Sequence, residues 1–305
     1  MSAAAGTGAG TGIHPGPPPV RPPAEAEAEA EAEADTDTDV RLRADTDAVD
    51  LWLLPEDAVD YFSDRLGGPE LLTPEERARM HRMRVPAARR RFLGARLLSR
   101  HALSARTGLP PGRWRFAAGP DGRPEPEPAP GGVRFNLSHT DGLVACVVTR
   151  QRDCGVDVER TPARTAAAAR LPHYFAPAEQ AAVEAAPPGR RAERVAAYWV
   201  LKEAYVKALG TGLRRAPESF AFSPPHRTPI EVTDPQAPPD ARWRFVLLRP
   251  TPGHVLAVAV GGVTEGPLHL TVHPFCAPPA AAALPLARSH VRSARAAHHS
   301  RDRHV

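Results

Sequence analysis

The chain has 305 residues, 39 basic and 35 acidic side chains, a formal net charge of +4 and 42% apolar residues, enough for one large domain or two smaller ones. No apolar run approaches a bilayer span, so a soluble protein is expected, and three cysteines without metal-ligand spacing or a secretory leader point to a reducing cytoplasm. The charge is partitioned: residues 1–50 carry 3 basic and 11 acidic groups, residues 276–305 carry 5 and 1, and residues 51–275 carry 31 and 23, a net +8 that suits an anionic partner.

Residues 1–49 read as a disordered tail. Gly, Pro, Ala and Thr are followed by the acidic run AEAEAEAEAEADTDTDVRLRADTD, which buries too little apolar surface to offset the entropy of ordering it. LWLL at 51–54 predicts a short buried strand. Thr73 as N-cap, Pro74 at the first position and Glu75 and Glu76 in the first turn open a helix that Pro86 interrupts. A second helix over 87–106 turns Leu93, Leu97, Ala102 and Leu103 toward a core and Arg89, Arg96 and Arg100 onto another face, and Gly108 ends it. From 110 to 132 the chain is rich in Pro and Gly and reads as a loop with a turn at Asp121-Gly122.

Three strands follow, VRFNLSHT, GLVACVVTR and GVDVER, joined by turns at Asp141-Gly142 and Asp153 to Gly155, with Cys146 and Cys154 as core and turn residues. A helical region over about 176–210, broken near Pro187 to Gly189, precedes strands in SFAF, RWRFVLLR and HVLAVAV and a last strand near Phe275. Residues 276–305 form a second disordered tail, rich in Arg and His. The order strand, helix, strands occurs twice, which predicts a duplicated α+β unit with halves at 50–155 and 156–275.

In GVDVE, Asp157 and Glu159 are two apart, so a strand points both to one face and Val156 and Val158 to the other. Two such carboxylates repel unless a cation or proton sits between them, and Mg²⁺ is the natural guest. An edge strand with its polar face in water is the alternative. WVLKEAYVKALG holds both lysines of the chain, Lys202 and Lys207. There Glu203 and Lys207, four apart, share a helical face, either as a surface pair or as part of a phosphate site. Ser138 and His139 emerge at a strand end, where a hydroxyl and an imidazole can donate to phosphate oxygens.

VRFNLSHT, GVDVER and WVLKEAYVKALGTGL, in this order and spacing, resemble the 4'-phosphopantetheinyl transferases, specifically their Sfp-like monomeric subgroup. The resemblance covers about residues 74–222. It implies an α+β fold of two pseudo-twofold halves with coenzyme A between them. By matching motif positions, Asp157, Glu159 and Glu203 are implied as Mg²⁺ ligands, Lys202 and Lys207 as the lysines beside the pyrophosphate, and Ser138 and His139 as contacts to the nucleotide end. RRRFLGARLLSR places Arg90 and Arg91 near the 3'-phosphate, and Arg123 stands for the lysine of a Gly-Lys-Pro loop. Arg79 stands where the family often has lysine, and Arg91 where some members have threonine; Arg keeps the charge but changes the geometry.

The implied reaction moves the 4'-phosphopantetheine arm of coenzyme A to a serine of an acyl- or peptidyl-carrier domain and releases adenosine 3',5'-bisphosphate. Lys207 neutralises charge on the phosphates, and Glu203 is the candidate base, acting directly or through a water on the metal. The expected partners are coenzyme A and carrier domains, with no nucleic acid and no membrane. An arginine-rich nucleic-acid module is the competing reading, opposed by only 17 aromatic residues and no binding motif. A coenzyme-A-binding regulatory protein is another, opposed by the carboxylate trio.

Overall fold

The computed structural model describes residues 48–119, 123–162, 166–263 and 268–275. The expected tails (apart from residues 48 and 49), Cys276 and the Asp121-Gly122 turn lie outside these residues.

The fold is mixed α+β. Strand β1 (Ala48–Pro55) leads through a short turn to α1 (Val59–Leu66), which ends at Gly67 in the left-handed conformation. Helix α2 (Pro74–Arg82) starts as its sequence predicts: Glu76 N–H donates to Thr73 Oγ1 at 3.2 Å and Thr73 N–H to Glu76 Oε2 at 3.0 Å. Met83 is extended, and α3 (Pro86–Thr107) runs on to left-handed Gly108.

The stretch expected as a plain loop contains a short hairpin, β2 (Arg115–Ala118) with β3 (Pro124–Glu127), held by Phe116 packing on Phe135 with ring centroids 5.1 Å apart. Then come β4 (Val133–Thr140), β5 (Leu143–Arg150) and β6 (Cys154–Arg160), followed by α4 (Pro177–Glu184) and α5 (Pro188–Leu209). Helix α1 and the hairpin were not anticipated. SFAF contributes only the two-residue strand β7 (Ala221–Phe222), paired with β8 (Val232–Thr233). Strands β9 (Trp243–Thr251), β10 (His254–Gly261) and β11 (His269–Pro274) close the described chain.

The strands form two principal sheets, β11-β1-β5-β4 and β6-β10-β9, with β11 parallel to β1 and the other neighbours antiparallel. Alternate residues explain the layering. In β5, Val144, Cys146 and Val148 face a core shared with α3, while Ala145 and Val147 face the second sheet. In β10, Val255, Ala257 and Ala259 pack beneath α5, while Leu256, Val258 and Val260 face the first sheet. The order is therefore helix, sheet, sheet, helix, and strands covered on both faces read as unbroken apolar runs.

The sheets meet where β4 runs beside β6. Asn136 Oδ1 accepts from Val156 N–H at 3.0 Å and Ser138 Oγ from Val158 N–H at 3.3 Å, so side chains replace a backbone ladder. Arg100 is fully buried, its Nη2 2.6 Å from Glu76 Oε2, so one of the arginines read as a polar face is part of the core.

Candidate active site

Strand β6 and helix α5 touch backbone to backbone. A Cβ on Gly155 would lie 2.0 Å from the Ala204 carbonyl oxygen and 2.6 Å from Ala208 N, so only glycine permits the approach. That contact brings one face of the helix, Trp199, Glu203 and Lys207 at intervals of four, over the face of β6 that carries Asp157 and Glu159. Val156 and Val158 point the other way and are buried between the sheets.

Asp157 is 5% exposed. Its Oδ1 accepts from Ser138 Oγ at 2.8 Å and from Lys207 Nζ at 2.5 Å, while its Oδ2 is buried without a hydrogen-bond partner. Lys207 also reaches Ser138 Oγ and the Val156 carbonyl, each at 3.2 Å, and stays 27% exposed. Thr140 Oγ1 donates to Glu159 Oε2 at 3.4 Å. Burial, then the Asp157 charge, raises the Glu159 carboxyl above its ordinary range, against hydrogen bonds from Thr140 and Trp199 and the Lys207 charge. Glu203 is raised by burial and by Asp157, with Lys207 opposing and Glu159 adding. No described residue donates a hydrogen bond to Glu203.

Three carboxylates thus repel one another across one space, with one ammonium among them and one buried oxygen lacking any donor. Among the described residues no three His, Cys, Asp or Glu side chains are already drawn into a cation cage. Mg²⁺, however, commonly takes one or two carboxylates and completes its shell with water and substrate phosphate. The unpartnered Asp157 Oδ2 and the mutual repulsion fit such an ion.

The other expected contacts divide. His139 stands at the exposed end of β4; partial desolvation by its neighbours, then the Arg91 charge, holds its pKa below the ordinary value. Arg91 Nη1 lies 2.8 Å from Glu56 Oε2, exposed Arg90 is paired with Asp60 at 3.7 Å, and exposed Arg79 lies over the Phe92 ring at 5.4 Å. Ser138 acts on Asp157 and β6 rather than on an open surface.

Two expectations are corrected. Lys202 does not line the site: it is 1% exposed, and its Nζ reaches Glu179 Oε2 at 2.7 Å and the Pro217 and Phe220 carbonyls at 2.7 and 2.8 Å. The reason is helical geometry, since residue 202 lies about 100° around the helix from residue 203. Arg123 is likewise occupied. Its guanidinium donates to the Lys207 and Ala208 carbonyls at the end of α5 and to those of Phe135 and Cys154, so it clasps the helix to β4 and β6.

Trp199, Thr140 and Asn136 escaped the sequence reading as site-forming residues. For Trp199 a signal existed, because it is four residues before Glu203 and eight before Lys207. For the other two, the partner lies on a different strand.

Residues 153–259 match the 4'-phosphopantetheinyl transferase superfamily. The chain is 32% identical over 220 residues to the 4'-phosphopantetheinyl transferase HetI of Nostoc sp., covering 71% of this chain and 89% of the relative. A phosphopantetheinyl transferase of Thraustochytrium sp. is 28% identical over 201 residues (62% and 70% of the two chains), and a 4'-phosphopantetheinyl transferase of Bacillus subtilis is 27% identical over 150 residues (49% and 65%).

Proposed function

The chain belongs to the 4'-phosphopantetheinyl transferase superfamily and is an enzyme that transfers the phosphopantetheine group, and from that premise we propose that coenzyme A gives its 4'-phosphopantetheine arm to a serine of acyl- or peptidyl-carrier domains, releasing adenosine 3',5'-bisphosphate. The observation that carries the reading is the carboxylate cluster around Asp157, with its buried Oδ2 unpartnered. Asp157, Glu159 and Glu203 would hold Mg²⁺. When bound, the ion supplies positive charge to the diphosphate oxygens and the leaving group.

The chain's own residues do the rest. The bond that forms joins the serine oxygen to the phosphorus, and the bond that breaks is the diphosphate P–O bond, so the protein's task is alignment and neutralisation. Ser138 and Lys207 fix Asp157 through Oδ1, leaving Oδ2 without a partner. Lys207, partly exposed, adds positive charge where phosphoryl oxygens gather. Glu203 accepts the serine proton: it alone of the three acids comes from α5, and no described residue occupies its oxygens. Trp199 and Thr140 orient Glu159.

On this reading the enzyme works as a monomer in the cytoplasm, without nucleic acid or membrane. Among the described residues no helix is long and apolar enough to cross a membrane. The test is incubation with apo-carrier domains and coenzyme A, with Mg²⁺ or with chelator, followed by mass spectrometry of the carriers. One phosphopantetheine addition in Mg²⁺ is expected, and none with chelator or with Asp157→Asn, whose folding is checked by circular dichroism. Full activity of folded Asp157→Asn would remove the metal assignment. Unmodified carriers, in conditions where another transferase modifies them, would remove the carrier reading.

A further inference from the structure

The turn between β4 and β5 carries a carboxylate that this chemistry does not use. The turn's backbone is pinned: Gly142 N–H donates to Glu56 Oε2 at 3.0 Å, Glu56 N–H donates to the Gly142 carbonyl at 3.0 Å, and His254 Nε2 lies 2.9 Å from the Asp141 carbonyl. Gly142 has φ +95°, and a Cβ there would press on the His254 ring at 3.2 Å. The Asp141 side chain is different, with 53% of it exposed.

Two guanidinium groups reach that side chain: Arg91 Nη1 is 3.7 Å from Oδ1 and Arg160 Nη1 is 3.7 Å from Oδ2. Arg91 comes from α3, on the first sheet, and Arg160 directly follows Glu159 at the end of β6, on the second. Both distances are long for ion pairs. Arg91 Nη1 lies closer to Glu56 Oε2, at 2.8 Å, and each guanidinium has more donors than these contacts use. His139, two residues before Asp141, senses the Arg91 charge. Two planar forks on either side of an accessible oxyanion, at the edge of the carboxylate cluster, make a geometry that recognises phosphate.

We propose that Arg91 and Arg160 form a two-sided clamp for a phosphate of coenzyme A, and that Asp141 is the clamp's internal counter-ion, which the phosphate displaces. The proposal rests on the transferase reading and adds Arg160 and Asp141 to its binding residues. In the free enzyme the Asp141 carboxylate, together with Glu56 on Arg91, offsets the repulsion between the two arginines. On binding it competes with the ligand, so it lowers the affinity the two arginines would otherwise give.

The test is calorimetric titration of coenzyme A into the full-length wild type, Asp141→Asn, Asp141→Ser, Arg160→Gln and the double variant Asp141→Asn/Arg160→Gln. Asp141→Asn and Asp141→Ser are expected to bind about threefold to tenfold tighter than wild type, the scale of two half-exposed ion pairs. The gain should shrink at high salt. Arg160→Gln is expected to bind more weakly, and the double variant to lose the gain. The clamp is overturned if both folded Asp141 variants bind no tighter than wild type, or if the double variant keeps the gain. Failure of the wild type to bind coenzyme A at all would instead remove the transferase reading on which the clamp stands.

Discussion

Lys207 and Lys202 lie five residues apart on one helix and do different work. Lys207 is a partly exposed counter-ion at the carboxylate cluster, whereas Lys202 holds Glu179, which is fully buried and also accepts from the Ala176 and Phe222 backbone N–H groups. Removing one partner of a buried pair leaves the other charge uncompensated, at about 3–5 kcal/mol. Lys202→Met is therefore expected to lose that much in urea unfolding, while the folded variant keeps its coenzyme A affinity within about twofold. Lost affinity with unchanged stability would return Lys202 to the ligand. The division was legible: position 202 belongs to the helical row of Tyr198 and Tyr205, which face the core, and Glu203 and Lys207 to that of Trp199. The fate of Arg123 was not, because the carbonyls it joins lie 12, 31 and 84 residues away.

At the scale of elements, the site depends on how closely β6 and α5 approach. Gly155→Ala would put a methyl group into the helix backbone at Ala204. Overpacking of this kind costs about 1–3 kcal/mol or more, because neither backbone can yield alone. The variant is expected to unfold at lower urea and to lose more turnover than its folded fraction explains, since shifting α5 carries Glu203 away from Asp157. Gly189, in the first turn of the same helix, has no heavy atom within 4 Å of a built Cβ. Gly189→Ala should instead stabilise by about 0.5–1 kcal/mol through helix propensity, with turnover unchanged. Equal effects at the two glycines would show that packing at β6 is not the cause. Sequence periodicity placed both elements closely, but a glycine pressed on a helix looks like any turn glycine until its neighbour is known.

Across the molecule, β11 returns from the far end of the chain to lie parallel to β1, and rings fasten it there. Trp52 stacks on His273 at 4.0 Å, His101 meets Trp52 edge-on at 4.9 Å, and His273 Nε2 lies 2.8 Å from Asp50 Oδ1. Burial, then the His273 charge, lowers the His101 pKa below its ordinary value of 6.5. A proton then binds the unfolded chain more readily than the folded one. Stability from this group is full above about pH 6.5 and falls as the pH drops toward the folded pKa. Compared with His101→Phe, the wild type is expected to lose more of its urea midpoint between neutral pH and about pH 5.5; an equal change in the two would clear His101.

What the sequence determined by itself was local. Helical and strand periods follow from backbone geometry, so the pairing of Asp157 with Glu159 on one face and of Glu203 with Lys207 on another could be read without a fold, as could the family. Tertiary structure decided which faces meet and which charges are already spent. Asn136 and Ser138 join two sheets, Arg100 and Lys202 are buried in pairs, and Asp141 sits between arginines of different layers. The physical reason is that such contacts depend on distance in space between residues far apart in the chain, and on the desolvation that only packing imposes.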